Sequence, residues 1–143
     1  MDTYLSPEDI QKVINKARNP RDGLLMSFLW ETGCRISEAL AITPSDVHED
    51  QNVVVIHHLK SGEDRYRPVL MTPDLTGRLV LFIIATRCPR NATVFKIGRR
   101  QAYGIIRRAA EVAGMGGKCM LLLEHNKPHY LSPHRFRDAI AVA

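Results

Sequence analysis

Apolar residues recur at helical spacing early in the chain. Ser6-Pro7-Glu8-Asp9 reads as an N-cap, a proline at the first helical position and acids in the first turn, and Ile10, Val13, Ile14 and Ala17 follow at intervals of three and four. Asn19-Pro20 breaks this amphipathic helix. Leu24, Leu25, Met26, Phe28, Leu29 and Trp30 are then apolar nearly all round until Thr32-Gly33, where glycine suits a C-terminal cap, so a second helix is predicted inside the core. A short third helix, about Arg35 to Ile42, ends at Thr43-Pro44-Ser45-Asp46, because the residue before a proline is pushed out of the helical region.

The period then shortens. Val53-Val54-Val55-Ile56 is a compact β-branched run, and Tyr66 to Met71 resembles a second strand. Lys60-Ser61-Gly62-Glu63-Asp64 is the polar turn between them, which makes a hairpin with a lysine at its tip. Thr72-Pro73-Asp74 opens a fourth helix through Leu79, Leu81, Phe82 and Ile83, and a fifth runs from about Arg99 to Ala113 before Gly114. Residues 114 to 131 carry no clear period, and Ser132-Pro133 repeats the cap-and-proline start for a last helix. The fold class expected is α+β, mainly helical with a small antiparallel sheet, in one domain over residues 1 to 143.

Composition narrows the function class. The chain is 45% hydrophobic and 24% charged, which argues against disorder, and its longest apolar run, Leu79 to Ala85, is far short of the roughly twenty residues a membrane helix needs. With no signal-peptide pattern at the start, a cytoplasmic location without membrane association is expected. Cys34, Cys88 and Cys119 are odd in number and widely spaced, so neither a disulfide framework nor a metal site is indicated, and all three are read as reduced and buried or half-buried. Residues 1 to 86 hold 9 basic and 12 acidic side chains, while residues 87 to 143 hold 11 basic and 3 acidic. That asymmetry favours a polyanionic partner, nucleic acid before membrane, over a merely solvated basic face.

Candidate chemistry sits in three separated places. In Thr32-Gly33-Cys34-Arg35-Ile36-Ser37-Glu38-Ala39-Leu40, Arg35 stands at a helix start, where free N–H groups and a forked guanidinium together suit a phosphate. Glu38, three residues on, could hold that guanidinium or form an ordinary surface pair with it. Lys60 on the hairpin tip reads by itself as a solubilising edge residue. In His134-Arg135-Phe136-Arg137, His134 and Arg137 project from one face of a helix start, an anion site or a capped surface turn. Arg99, Arg100, Arg107 and Arg108 are candidate contacts to a polyanion, with Arg99 and Arg107, and likewise Arg100 and Arg108, eight apart along the fifth helix.

Taken in order, these blocks resemble the catalytic domain of the tyrosine recombinases, the phage integrase family. The likeness runs through Leu5-Ser6-Pro7-Glu8-Asp9-Ile10, the Thr32 to Leu40 motif, Ser45-Asp46-Val47, the hairpin lysine with Arg67-Pro68-Val69, and Ser132-Pro133-His134-Arg135-Phe136-Arg137. The resemblance implies that Arg35 and Arg137 clamp the non-bridging oxygens of a scissile phosphate, that Lys60 protonates the leaving 5′ oxygen, and that His134 bonds the phosphate and assists proton movement. It implies double-stranded DNA as partner, no metal or other cofactor, a prokaryotic or viral origin, and a tetramer acting on two DNA sites, with this chain alone a monomer. The hairpin is expected to present Lys60 to a cleft formed by Arg35, His134 and Arg137.

Two departures qualify the likeness. Asp138 follows Arg137 where many members have histidine, and it is read as bracing Arg137 or nearby backbone. In the family a tyrosine nucleophile lies a few tens of residues past the second arginine, whereas Ala143 comes six residues after Arg137. The chain is therefore expected to be a fragment lacking both that tyrosine segment and the small domain that usually precedes, and to be inactive alone in strand cleavage. Tyr4, Tyr66, Tyr103 and Tyr130 have ordinary packing readings and are not expected to substitute. Two other functions stay open: a non-catalytic DNA-binding or regulatory module, and a type IB topoisomerase-like enzyme.

Overall fold

The computed structural model describes residues 6–60 and 63–114, with the side chains of 58–60 and 63 outside that description. Among the described residues five α-helices accompany a three-stranded sheet: α1 Pro7–Ile14, α2 Pro20–Thr32, α3 Ile36–Ala41, β1 Val47–His48, β2 Val53–Lys60, β3 Glu63–Leu70, α4 Pro73–Thr86 and α5 Arg99–Val112. Short 3-10 turns at Pro44–Asp46 and Glu49–Gln51 flank β1. The caps fall where the residue types demand. Ser6 accepts from the Asp9 N–H at 3.1 Å while Asp9 accepts from the Ser6 N–H at 3.2 Å, closing a capping box, and α1 ends at Ile14, a turn before Ala17. Asn19 caps α2 through the Asp22 N–H at 2.9 Å, and Thr72 caps α4 through the Leu75 N–H at 3.1 Å.

The helix α2 is the centre of the core, buried at every position from Asp22 to Leu29. It shares one hydrophobic cluster with Ile10 and Val13 of α1, Ile36 and Ala39 of α3, Val54 and Ile56 of β2, Leu75 and Leu79 of α4, and Ala102, Ile106 and Ala109 of α5. Phe95, in the loop before α5, meets Phe28 edge-on with centroids 6.2 Å apart and stacks with Phe82 at 6.1 Å. Among the described residues no helix is long and apolar enough to cross a membrane.

The sheet is larger than the hydrophobic pattern predicts. Its order is β1-β2-β3, all antiparallel, and β1 has too few residues to show a period. The β2–β3 register runs from Val53↔Leu70 through Ile56↔Arg67 to Lys60↔Glu63, so Lys60, Glu63 and Asp64 belong to strands rather than to the turn expected there. Pro68 is tolerated because β3 is an edge strand. Cys34 is buried and Cys88 half-buried, as expected, and Cys119 lies outside the described residues.

Candidate functional site

The site begins where α2 ends. Gly33 closes the helix in the left-handed region at φ 68°, a conformation that favours glycine, and its N–H bonds the Leu29 carbonyl at 3.0 Å. The Thr32 Oγ1 donates to the Phe28 carbonyl at 2.6 Å and accepts the Cys34 N–H at 3.3 Å, which fixes the two-residue crossing. Cys34 is fully buried, and desolvation pushes its thiol up from 9.0 to about 11, so it stays protonated and serves as packing. The chain then turns at Arg35, which is the N-cap of α3 at φ −79°, ψ 158°, and whose side chain is exposed.

Glu38 makes this turn rigid. Its side chain is 6% exposed, and its carboxylate accepts the Arg35 main-chain N–H at 2.7 Å through Oε1 and takes the Arg67 guanidinium by Nη1 on Oε2 at 3.1 Å and Nη2 on Oε1 at 3.3 Å. The contact expected between Glu38 and Arg35 thus runs through the Arg35 backbone, and Glu38 also braces the Arg67 guanidinium. The reason is chemical: an N-cap side chain folds back over the first turn only when it carries an acceptor for the N–H groups there, and arginine has none with which to complete a capping box. A buried carboxylate needs such partners, and the forked pairing satisfies both oxygens.

That pairing also joins two distant parts of the chain. Arg67 belongs to β3, 29 residues beyond Glu38, so the hairpin is tied to the head of α3. Lys60, the last residue of β2, lies four positions along the hairpin from the Ile56↔Arg67 pair, roughly 13 Å at strand rise. A second tie holds the hairpin one residue pair nearer its tip, at His57↔Tyr66. Asp46 Oδ1 is 2.8 Å from His57 Nε2, its Oδ2 accepts the Thr43 N–H at 3.0 Å, and the His57 ring meets Tyr66 edge-on at 4.4 Å.

A model of the phage integrase family matches residues 3–143, nearly the whole chain. The chain belongs to the phage integrase family. It is 30% identical over 138 residues to a putative integrase/recombinase, y4qK, of Sinorhizobium fredii, covering 96% of this chain and 42% of that protein. The tyrosine recombinase XerA of Saccharolobus solfataricus is 34% identical over 56 residues, 39% of this chain and 19% of that one. In structure the chain is similar to the XerA recombinase crystal structure, with a TM-score of 0.73 at 20% identity over 99% of this chain and 50% of that one. It is also similar to XerH recombinase bound to its difH substrate, with a TM-score of 0.68 at 18% identity over 99% of this chain and 42% of that one. These likenesses establish the fold as that of tyrosine recombinase catalytic domains, and the chain spans about half the length of the relatives it matches along its whole length.

For this integrase-family chain the expected site residues divide as follows. Arg35 and Glu38 are together at the head of α3, and Lys60 is placed by its backbone at the end of β2. His134, Arg137 and Asp138 lie outside the described residues. On α5, Arg99 rests 5.8 Å from the Tyr103 ring centre, in cation–π range. Arg100 and Arg107, seven apart, are both exposed on one face, whereas Arg108 is half-buried and turns to another flank beside Gln101. Arg67 is the residue whose structural part went unread: it stood within a recognised block, but nothing local in sequence names Glu38 as its partner.

Proposed function

We propose that this chain supplies the phosphate-activating groups for DNA strand cleavage and rejoining through a 3′-phosphotyrosine, the chemistry of site-specific recombination and integration. The observation that carries the reading is the buried Glu38 carboxylate, which holds the Arg35 main chain and the Arg67 guanidinium at once. It leaves an exposed arginine on a fixed backbone beside a hairpin that ends in Lys60. Rigid support of this kind is what charge stabilisation demands, because a donor that is already in place loses nothing to reorganisation when charge develops.

In the proposed reaction Arg35 and Arg137 pair with the non-bridging oxygens of the scissile phosphate. A tyrosine oxygen attacks phosphorus in line, the bond to the 5′ oxygen breaks, and Lys60 delivers the proton that oxygen takes up. His134 bonds the phosphate and assists proton movement, and Asp138 braces Arg137. A second DNA 5′ hydroxyl reverses the step, one phosphodiester exchanged for another, so rejoining is nearly isoenergetic. The partner is double-stranded DNA, supported by relatives named as integrases and recombinases and by structures of XerH bound to difH and of a Tn1549 transposon integrase with transposon end DNA. Arg99, Arg100, Arg107 and Arg108 contribute phosphate contacts. On this reading none of Tyr4, Tyr66, Tyr103 and Tyr130 is the nucleophile, so the 143-residue chain by itself does not cleave DNA.

A nicked suicide duplex, which traps a covalent protein-DNA adduct, tests this. The 143-residue chain is expected to form none, and a version extended by a tyrosine-bearing segment after Ala143 is expected to form one that is lost when that tyrosine becomes phenylalanine. In the extended protein Arg35→Ala should cut adduct formation at least a hundredfold with circular dichroism unchanged, since removing a single preorganised donor to the transition state costs about that much. An adduct indifferent to Arg35→Ala refutes the assignment.

A further inference from the structure

Away from the head of α3, the turn joining α1 to α2 and one flank of α5 border a half-open cavity of about 370 Å³. Lys16, Arg18 and Arg21 line it from the turn and the start of α2, and Arg108 lines it from α5. Among its described lining residues the one acid is Asp22, which is 3% exposed and takes Arg21 Nε on Oδ1 at 3.1 Å. One cation is thereby offset. Three more stand around a common space, and like charges brought together from separate elements repel one another until an anion joins them. Two of those three are arginines, whose forks each pair two oxygens, the arrangement that suits a phosphate better than a single carboxylate.

The wall on α5 is built for access. Gln101, Gly104 and Arg108 recur at intervals of three and four and form one stripe, on a different flank from Arg100 and Arg107. A β-carbon added at Gly104 would meet nothing within 4 Å, so the space beside it is open. We infer that this cavity is a phosphate-binding site, separate from the Arg35 site and filled either by a backbone phosphate of duplex DNA or by a free phosphate compound. The DNA source rests on the function proposed above; the free-phosphate source does not.

Gly104→Glu is the informative variant, because it adds a carboxylate beside the cavity without removing a cation, at a position where the new β-carbon meets nothing within 4 Å. In the first arm, inorganic pyrophosphate is titrated into the ¹⁵N-labelled 143-residue chain. The Ala17 and Gly104 amides are expected to shift saturably, with affinity at least tenfold weaker in Gly104→Glu, read at Ala17, and in Arg18→Gln. In the second arm, duplex binding is measured against salt, and both variants are expected to lower the log-log slope by about 0.9, the loss of one phosphate contact. A pyrophosphate response with an unchanged DNA slope assigns the site to free phosphate. Intact pyrophosphate binding in a chain that binds no duplex keeps the site and removes the DNA function. If neither variant changes pyrophosphate affinity or the salt slope, the inference is wrong.

Discussion

Replacing Glu38 by alanine removes the polar bonds it makes to the Arg35 main chain and to Arg67 of the hairpin, and their cost can be worked from the geometry. The Arg35 N–H, bonded at 2.7 Å, loses a charged acceptor, a loss of about 1–2 kcal/mol by comparison with helix caps and hydrogen bonds to charged groups. The Arg67 guanidinium loses both its bonds to Glu38, but its side chain is 40% exposed, so water recovers much of that loss and the contribution is nearer the ~1 kcal/mol of a surface pair than the several kcal/mol of a buried one. The sum is about 2–3 kcal/mol, a large part of the ~5–15 kcal/mol typical of a domain. In urea the midpoint should fall by about 1 M at unchanged m-value. Glu38→Gln keeps an oxygen for the Arg35 N–H and should cost about half as much. A double-mutant cycle with Arg67→Met, which keeps the apolar stem, should give a coupling of about 1 kcal/mol. The reasoning fails if Glu38→Ala lies within about 0.5 kcal/mol of the parent, or if the two substitutions simply add.

Three further outcomes are expected. Burial raises the Cys34 thiol from 9.0 to about 11, so the folded state favours its neutral form: that stabilisation is fully present below pH 9.0, is lost as pH rises to about 11, and should vanish from the unfolding pH profile in Cys34→Ala. Phe28→Ala, which opens a cavity beside Phe95, should destabilise by about 3–5 kcal/mol in the same urea assay, and a loss under 1 kcal/mol would show that the aromatic cluster collapses freely. In the extended protein Lys60→Ala should slow cleavage much less on a duplex whose bridging 5′ oxygen is sulfur, since a thiolate leaves without protonation; equal slowing on both substrates would remove the general-acid role.

What the sequence alone determined is what four or five neighbouring residues can decide. Ser6, Asn19 and Thr72 cap helices because a short polar side chain reaches an N–H three residues ahead, and Gly33 stops α2 because only glycine adopts the left-handed turn there without strain. The α2 span followed from an apolar run bounded by Asn19-Pro20 and Gly33, the α5 span from its 3.6-residue period, and the order of short motifs carried the family. Tertiary structure decided the rest. β1 has two residues and no period of its own, and it exists because Val47 and His48 find Val54 and Val53 across the sheet. The hairpin reaches Lys60↔Glu63 because ladder bonds between strands override the turn-like composition of its ends. Glu38 looked like a partner for the Arg35 side chain at helical spacing, yet it turned to Arg67, since an N-cap residue leaves the helix face on which that spacing rule operates. The convergence of Lys16, Arg18 and Arg108 on one cavity was equally hidden, because spacing along a chain fixes distance only within one element, and between elements distance is set by how the core packs.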